Sequence, residues 1–155
     1  MALRHLPGIL KRLLGGPDAP PDPRAALGRR GEQAAARLLR RTGYRILERN
    51  FRTPRGEIDL VAFRRGTLVF VEVRSQTQPA PFDPIYTITP QKQARVVRAA
   101  HAYLAGHAGR HPDTALRFDV VTVLFAPDGA RQEIRHVEGA FEARMLHRTI
   151  VPGRA

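Results

Sequence analysis

The sequence predicts an α/β domain in which helices are set against a central sheet. Two observations carry this. Segments with helical and strand periodicity follow one another in the order helix, three strands, helix, strand, strand. Within the third strand, Leu68-Val69-Phe70-Val71 is apolar at every position, as expected of a strand buried on both faces in the middle of a sheet. At 155 residues the chain allows one domain with a sizeable core and leaves a surplus for tails.

Residues 1–23 read as a basic N-terminal extension followed by a linker. Leu3, Leu6, Leu10, Leu13 and Leu14 fall near helical spacing with Arg4, Lys11 and Arg12 between them, a pattern suited to a membrane surface or a partner. A poorly ordered terminus is the expectation. Pro7, Lys11 and Arg12 break the apolar stretch, which argues against a signal peptide. Gly16 to Pro23 is rich in proline, as linkers are. The domain, residues 24–155, begins near Arg24.

The first helix runs from about Arg24 to Thr42 and stops at Gly43. Glu32 shares a face with Ala35, Ala36 and Leu39, so it is an acid at the edge of the core-facing stripe. The ordinary role of an acid early in a helix is to favour the dipole. Tyr44 to Phe51 is a strand, and Thr53-Pro54-Arg55-Gly56 turns into the next one. There Glu57 and Asp59 point to one face, Ile58 and Leu60 to the other. Phe63 to Thr67 is a tight turn into the apolar strand. Glu72 continues the face of Leu68 and Phe70, and Arg74 follows it.

Ser75 to Ile88 is an irregular, proline-containing segment long enough to be a mobile loop. Thr89-Pro90 caps a second helix that reaches about Ala105 and buries Val96, Val97, Ala100, Tyr103 and Leu104. Gln91, Arg95 and Arg98 line another face. Lys92 sits in the first turn, where the dipole disfavours a cation; a phosphate contact and a solvated side chain are equally weighted readings. Leu116 to Phe125 is a strongly apolar strand with Arg117 and Asp119 near its start. Pro127-Asp128-Gly129 turns into a strand at Arg131 to Val137, and a short helix is expected from Glu138 onward.

The chemistry concentrates at Asp59 and Glu72. If their strands are neighbours, the two carboxylates converge, and at ~5 Å they repel by roughly 3 kcal/mol at an effective dielectric near 20. A cation such as Mg²⁺ relieves that, or an arginine does. A metal site and a salt-bridged polar face made by Glu57, Asp59, Glu72 and Arg74 carry equal weight on the residues alone.

The rest of the composition narrows the partner. Lys and Arg number 26 against 14 acids, a formal charge of +12, which suggests a polyanion: nucleic acid first, an anionic membrane surface second. Cysteine is absent, which excludes disulfides and thiolate metal sites. No apolar run approaches the ~18 residues of a transmembrane helix, so integral membrane association is not expected and a cytoplasmic protein is the default. His107 and His111 lack a helix to fix zinc spacing. There is no glycine-rich phosphate loop, no Ser or Cys nucleophile motif and no internal repeat.

Several ordered motifs add a resemblance. GRRGEQAAARLLRRTGYRILERNFR, GEIDLVAF, LVFVEVR, TPQKQARVVRAAHAYL and RFDVV together resemble the YraN family of small bacterial proteins, over most of residues 27–141. That family is similar to the PD-(D/E)xK nucleases and to archaeal Holliday junction resolvases. The resemblance implies a restriction-endonuclease-like fold, with a central mixed β-sheet flanked by helices. It also implies a Mg²⁺ (or Mn²⁺) endonuclease acting on DNA, branched or junction DNA included, and a homodimer.

Carried over by motif, Glu32, Asp59 and Glu72 are the metal-binding acids, and Arg74 stands where the superfamily usually has lysine. Arginine supplies charge but cannot act as a base. Gln76 stands where the family tends to have arginine. Lys92 is the residue able to substitute, provided its helix faces the metals. Arg29, Arg30, Arg55, Gln91 and Arg95 are the expected contacts to the DNA backbone. Two alternatives stand beside this reading: a nucleic-acid-binding module with a decayed site, and a membrane adaptor using the N-terminal helix.

Overall fold

The computed structural model describes residues 22–111 and 114–143. The extension expected over residues 1–23 therefore lies outside the described residues except for Asp22 and Pro23. These two open the first helix: Pro23 is its first residue and the Asp22 carboxylate accepts from the Arg24 N–H at 2.9 Å. Helix α1 (Pro23–Arg41) ends at Thr42 and Gly43, where φ is +88°.

Five strands follow in a single sheet: β1 (Arg45–Thr53), β2 (Gly56–Arg64), β3 (Thr67–Thr77), β4 (Ala115–Phe125) and β5 (Arg131–Phe141). Their spatial order is their chain order. β1, β2 and β3 form an antiparallel meander. β3 and β4 are parallel, and β5 returns antiparallel to β4. A parallel pair needs a crossover, and helix α2 (Pro90–Gly106) supplies it. This is the α/β architecture of the restriction-endonuclease-like fold, with β3 in the middle of the sheet as its unbroken apolar run requires.

Each face of the sheet is closed by one helix. Ala34, Ala35, Ala36 and Leu39 of α1 pack on Leu60, Val69, Val71, Val121 and Val123. Val96, Val97, Ala100 and Tyr103 of α2 pack on Ile58, Val61, Leu68, Phe70 and Phe118. No described helix is long and apolar enough to cross a membrane.

Three local expectations are corrected. β3 does not stop at Arg74: Ser75, Gln76 and Thr77 pair with Val123, Leu124 and Phe125, because β4 offers a backbone ladder to a segment whose own composition reads as loop. The remainder of that loop contains a 3-10 turn (Pro84–Thr87). Glu138 does not begin a helix, and the part of that expectation beyond Ala143 lies outside the described residues. β5 continues through it to Phe141, tied down where the Gly139 N–H donates to Asp119 Oδ1 at 2.9 Å.

The third correction concerns alternation in β2. Ile58 and Leu60, expected on one face, pack in the α2-side and α1-side clusters respectively. The β2–β3 ladder runs from Arg64↔Thr67 to Leu60↔Val71, and the Val73 N–H beyond it donates to the Asp59 carboxylate instead of a carbonyl. On the other side of β2, Asn50 has φ +53° next to Arg49, the partner of Leu60. The strict two-residue period is lost between Leu60 and Ile58, and Asp59 sits at the break.

Candidate functional site

Asp59 and Glu72 come together where the β2–β3 ladder ends. Asp59 Oδ2 accepts from the Val73 N–H at 2.7 Å, which fixes the carboxylate against β3. Glu72 is 2% exposed and receives Lys92 Nζ at 2.8 Å on Oε1. Arg74 Nη1 lies 3.6 Å from the same oxygen. Lys92 is placed by its helix: Thr89 Oγ1 accepts from the Lys92 N–H at 3.3 Å, holding the first turn of α2 over the end of β3. Neither solvent nor a free phosphate site describes Lys92 here. It is an ion-pair partner of a buried acid.

Both acids are pushed towards the neutral form. Burial is the main cause for Asp59, followed by the charge of Glu72, and Glu32 adds to it; its pKa rises to about 7. Burial also raises Glu72, while Lys92 and Arg74 pull it back down.

Two clefts reach Glu72, and the larger is also lined by Asp59. One, of about 560 Å³, is lined by Glu32, Asp59, Glu72, Arg74, Ser75 and Lys92 among others. The other, of about 370 Å³, is lined by Arg52, Arg55, Glu57, Glu72, Lys92 and Arg95. Glu32 stands in the middle of α1 rather than in its first turn, so the helix-dipole role falls away and its proximity to Asp59 is what matters.

The expected nucleic-acid contacts divide. Arg55 and Arg95 line the smaller cleft. Arg29 and Gln91 are exposed on α1 and α2 and line neither cleft. Arg30 points elsewhere: its guanidinium lies 4.5 Å over the Phe125 ring and donates to the Gly129 carbonyl. A helix turns by about 100° per residue, so Arg30 and Glu32 cannot share a direction.

Mg²⁺ is held through one or two carboxylates and completes its shell with water and phosphate. Asp59 and Glu72 fit that requirement. Ser75 Oγ and Gln76 Oε1, in the wall of the larger cleft, are buried with no hydrogen-bond partner. No three His, Asp or Glu side chains among the described residues gather into a ready-made metal set. The protein's share of any such site is therefore the pair, with Glu32 alongside.

Two features escaped the sequence reading. Thr87, in the 3-10 turn, accepts from Arg74 Nε at 2.6 Å and so orients the guanidinium beside Glu72. Nothing local in the sequence signals that contact. The second is an ionic cluster around Asp119, which is fully buried. Arg117 meets it through Nε and Nη2, both at 2.8 Å, and His136 Nε2 lies at 2.8 Å. Arg117 also reaches the Tyr44 hydroxyl and Glu138. With the Gly139 N–H, both Asp119 oxygens are fully engaged. The cluster joins β4, β5 and the start of β1.

The model of the uncharacterised protein family UPF0102 matches residues 31–123. A UPF0102 protein of Anaeromyxobacter dehalogenans is 48% identical over 130 residues, 84% of this chain and 94% of that protein. The chain belongs to UPF0102. Other UPF0102 members are similar over comparable spans. One of Rhodopseudomonas palustris is 46% identical over 131 residues, 82% of this chain and 95% of its own length. One of Chlorobium phaeobacteroides is 42% identical over 120 residues, 74% and 93% respectively. The YraN resemblance read from the motifs is a resemblance to this family. The UPF0102 match spans Glu32, Asp59, Glu72, Arg74 and Lys92, and stops within β4 at Val123.

Proposed function

We propose that this UPF0102 protein is a metal-dependent endonuclease that hydrolyses phosphodiester bonds of DNA. The observation that carries the reading is the convergence of Asp59 and Glu72 at the end of the β2–β3 ladder, with Lys92 and Arg74 on the same oxygen of Glu72. A buried and a half-buried carboxylate, both of raised pKa, beside two cations are costly to keep unless the arrangement binds something.

In this reading Asp59 and Glu72 hold Mg²⁺ or Mn²⁺, with Glu32 beside them. Bound there, the ion supplies Lewis acidity: it neutralises charge on the scissile phosphate and eases deprotonation of water. The protein's own groups do the rest. The Val73 N–H keeps Asp59 aimed, and Thr87 keeps Arg74 beside the pair. Arg74 offers positive charge in a planar fork to the phosphate. Lys92 brings an ammonium, the group the superfamily motif ordinarily has, onto Glu72 from α2. Arg55 and Arg95 extend positive charge along the smaller cleft towards the DNA backbone.

A second reading, a nucleic-acid-binding module without catalysis, is favoured by one observation: Glu72 already has both cations for partners. Incubation with labelled linear, flap and four-way-junction DNAs in Mg²⁺ or Mn²⁺ separates the two. Cleavage that disappears in Asp59→Ala and Glu72→Ala is the expected result. Salt-sensitive binding that ignores Mg²⁺, with no cleavage of any substrate, would sink the nuclease and leave the binder.

A further inference from the structure

We infer that the segment between β3 and α2 carries a stacking platform for unpaired nucleobases, formed by Phe82 and Tyr86. The substrates of the neighbouring site would then be nucleic acids with single-stranded nucleotides beside the target bond. The inference rests on reading that site as one that binds nucleic acid.

Among the described residues the exposed large hydrophobics are Phe82, Tyr86 and Leu116, and two of the three share this segment. Phe82 is 53% exposed and Tyr86 79%. A single exposed aromatic needs no explanation. A pair four residues apart in a segment held in place on both sides does.

Asp83, next to Phe82, pairs with Arg135 of β5 and accepts from the Ile85 N–H at 3.0 Å. Pro84 is buried. Thr87, next to Tyr86, accepts from Arg74 Nε and donates to the Pro84 carbonyl at 2.7 Å. Each exposed ring thus follows or precedes an anchored residue, and one of those anchors is the residue that orients Arg74. Pro81, the neighbour of Phe82, lines the cleft that holds Asp59 and Glu72.

Charge selects the occupant. The chain carries +12, and in the same cleft Arg24, Arg74 and Lys92 stand beside Glu32, Asp59 and Glu72, the acids that hold a cation in the proposed reading. A ligand that satisfies cations and presents flat apolar faces a few residues away is a nucleic acid whose bases are not already stacked in a duplex. Base–aromatic stacking is tolerant of sequence because every base has a π-face. Fully paired DNA offers phosphates to the cations but no free base to the rings.

The test uses the full chain in EDTA, so that binding is read without cleavage. The probes carry 2-aminopurine, in a gapped duplex and in the same duplex fully paired, at one fixed salt concentration. The wild type is expected to quench the gapped probe. The double variant Phe82→Ala/Tyr86→Ala is expected to bind the gapped probe roughly tenfold more weakly and the paired probe within about twofold of wild type. Tyr86→Trp keeps a stacking face and is expected to retain the preference. Equal loss on both probes, or no loss on either, overturns the platform. So does a shift of the double variant from dimer to monomer in sedimentation, since a second copy of the chain would then be what covers the rings.

Failure of the nuclease reading looks different. In that case no probe is cut when Mg²⁺ replaces EDTA, yet the dependence of binding on the aromatics persists.

Discussion

Gly56 opens β2 where α2 crosses it, and replacing it by alanine tests how tightly the crossover helix is seated. A Cβ at Gly56 would lie 2.3 Å from the Arg95 carbonyl oxygen and 2.9 Å from its carbon. Both are backbone atoms, so no side chain can swing away. Restoring a contact of roughly 3.5 Å requires the helix or the turn to move by about 1 Å. Overpacking of this kind costs about 2 kcal/mol. In a domain of this size that lowers Tm by roughly 8 °C. The same movement reaches function, because Arg95 lies one turn along α2 from Lys92 and its 2.8 Å contact with Glu72.

Gly28→Ala is the matched control. A Cβ there meets nothing within 4 Å, and the position is helical, so alanine is expected to stabilise by roughly 0.5–1 kcal/mol. Thermal unfolding of the two variants by circular dichroism should therefore show opposite signs for the same added methyl. A Gly56→Ala protein that melts with or above the wild type would refute the account of α2 docking.

Further expectations follow from the two ionic groups. Asp119→Asn should destabilise by about 2–3 kcal/mol, since a buried amide cannot accept all four hydrogen bonds that the carboxylate takes and Arg117 keeps only the half-exposed Glu138 as counter-charge. Burial alone would raise the Asp119 pKa, but His136, Arg117 and the Gly139 N–H outweigh it and hold the carboxyl below its usual value. The stabilisation is therefore complete above about pH 4 and fades as pH falls further, so the gap in Tm between wild type and variant should narrow in acid.

Asp59→Asn should have the opposite sign. Its folded pKa lies above the unfolded one, so ionisation is penalised in the fold, increasingly from about pH 4 to about pH 7 and not at all below. The shift from 3.8 to about 7 sets a ceiling of about 4 kcal/mol. Sharing of the penalty with Glu72 and solvent screening bring that to about 2 kcal/mol. At pH 8 without divalent ions the variant should melt higher than wild type; a lower Tm would contradict the reading. Millimolar Mg²⁺ should stabilise wild type and close the difference. Thr87→Val should lower any cleavage rate about tenfold while leaving Tm almost unchanged, because it frees Arg74 without touching the core. Equal loss of Tm would assign Thr87 to folding instead.

The parts of this molecule legible in its sequence are those fixed by short-range pattern. The apolar run at Leu68–Val71 located the centre of the sheet, and Thr89-Pro90 and Gly43 marked the helix ends. Glu72 was legible as an acid ending an unbroken apolar run, and Asp59 as an acid on the polar face of the strand before it. What was not legible depends on partners far along the chain. Ser75 to Thr77 reads as loop until β4 lies beside it. Glu138 to Phe141 reads as a helix start until Asp119 takes the Gly139 N–H. Lys92 stood out as a cation at the wrong end of a dipole, but its target is twenty residues earlier in sequence. The direction of Arg30 follows from a turn on the opposite hairpin.

The crossover has a consequence for the order in which the molecule is assembled. The β1–β2–β3 meander closes through short turns, and these are fast events. Parallel pairing of β3 with β4 must wait for the segment from Gln78 to Thr114 to close, with α2 inside it. Asp59 and Glu72 are brought together by the meander, but the lysine that balances them arrives with the crossover. A chain released or stalled before that step carries the acids without Lys92. The ion pair at Glu72 is therefore a late feature of the fold, formed only once α2 has seated on the meander.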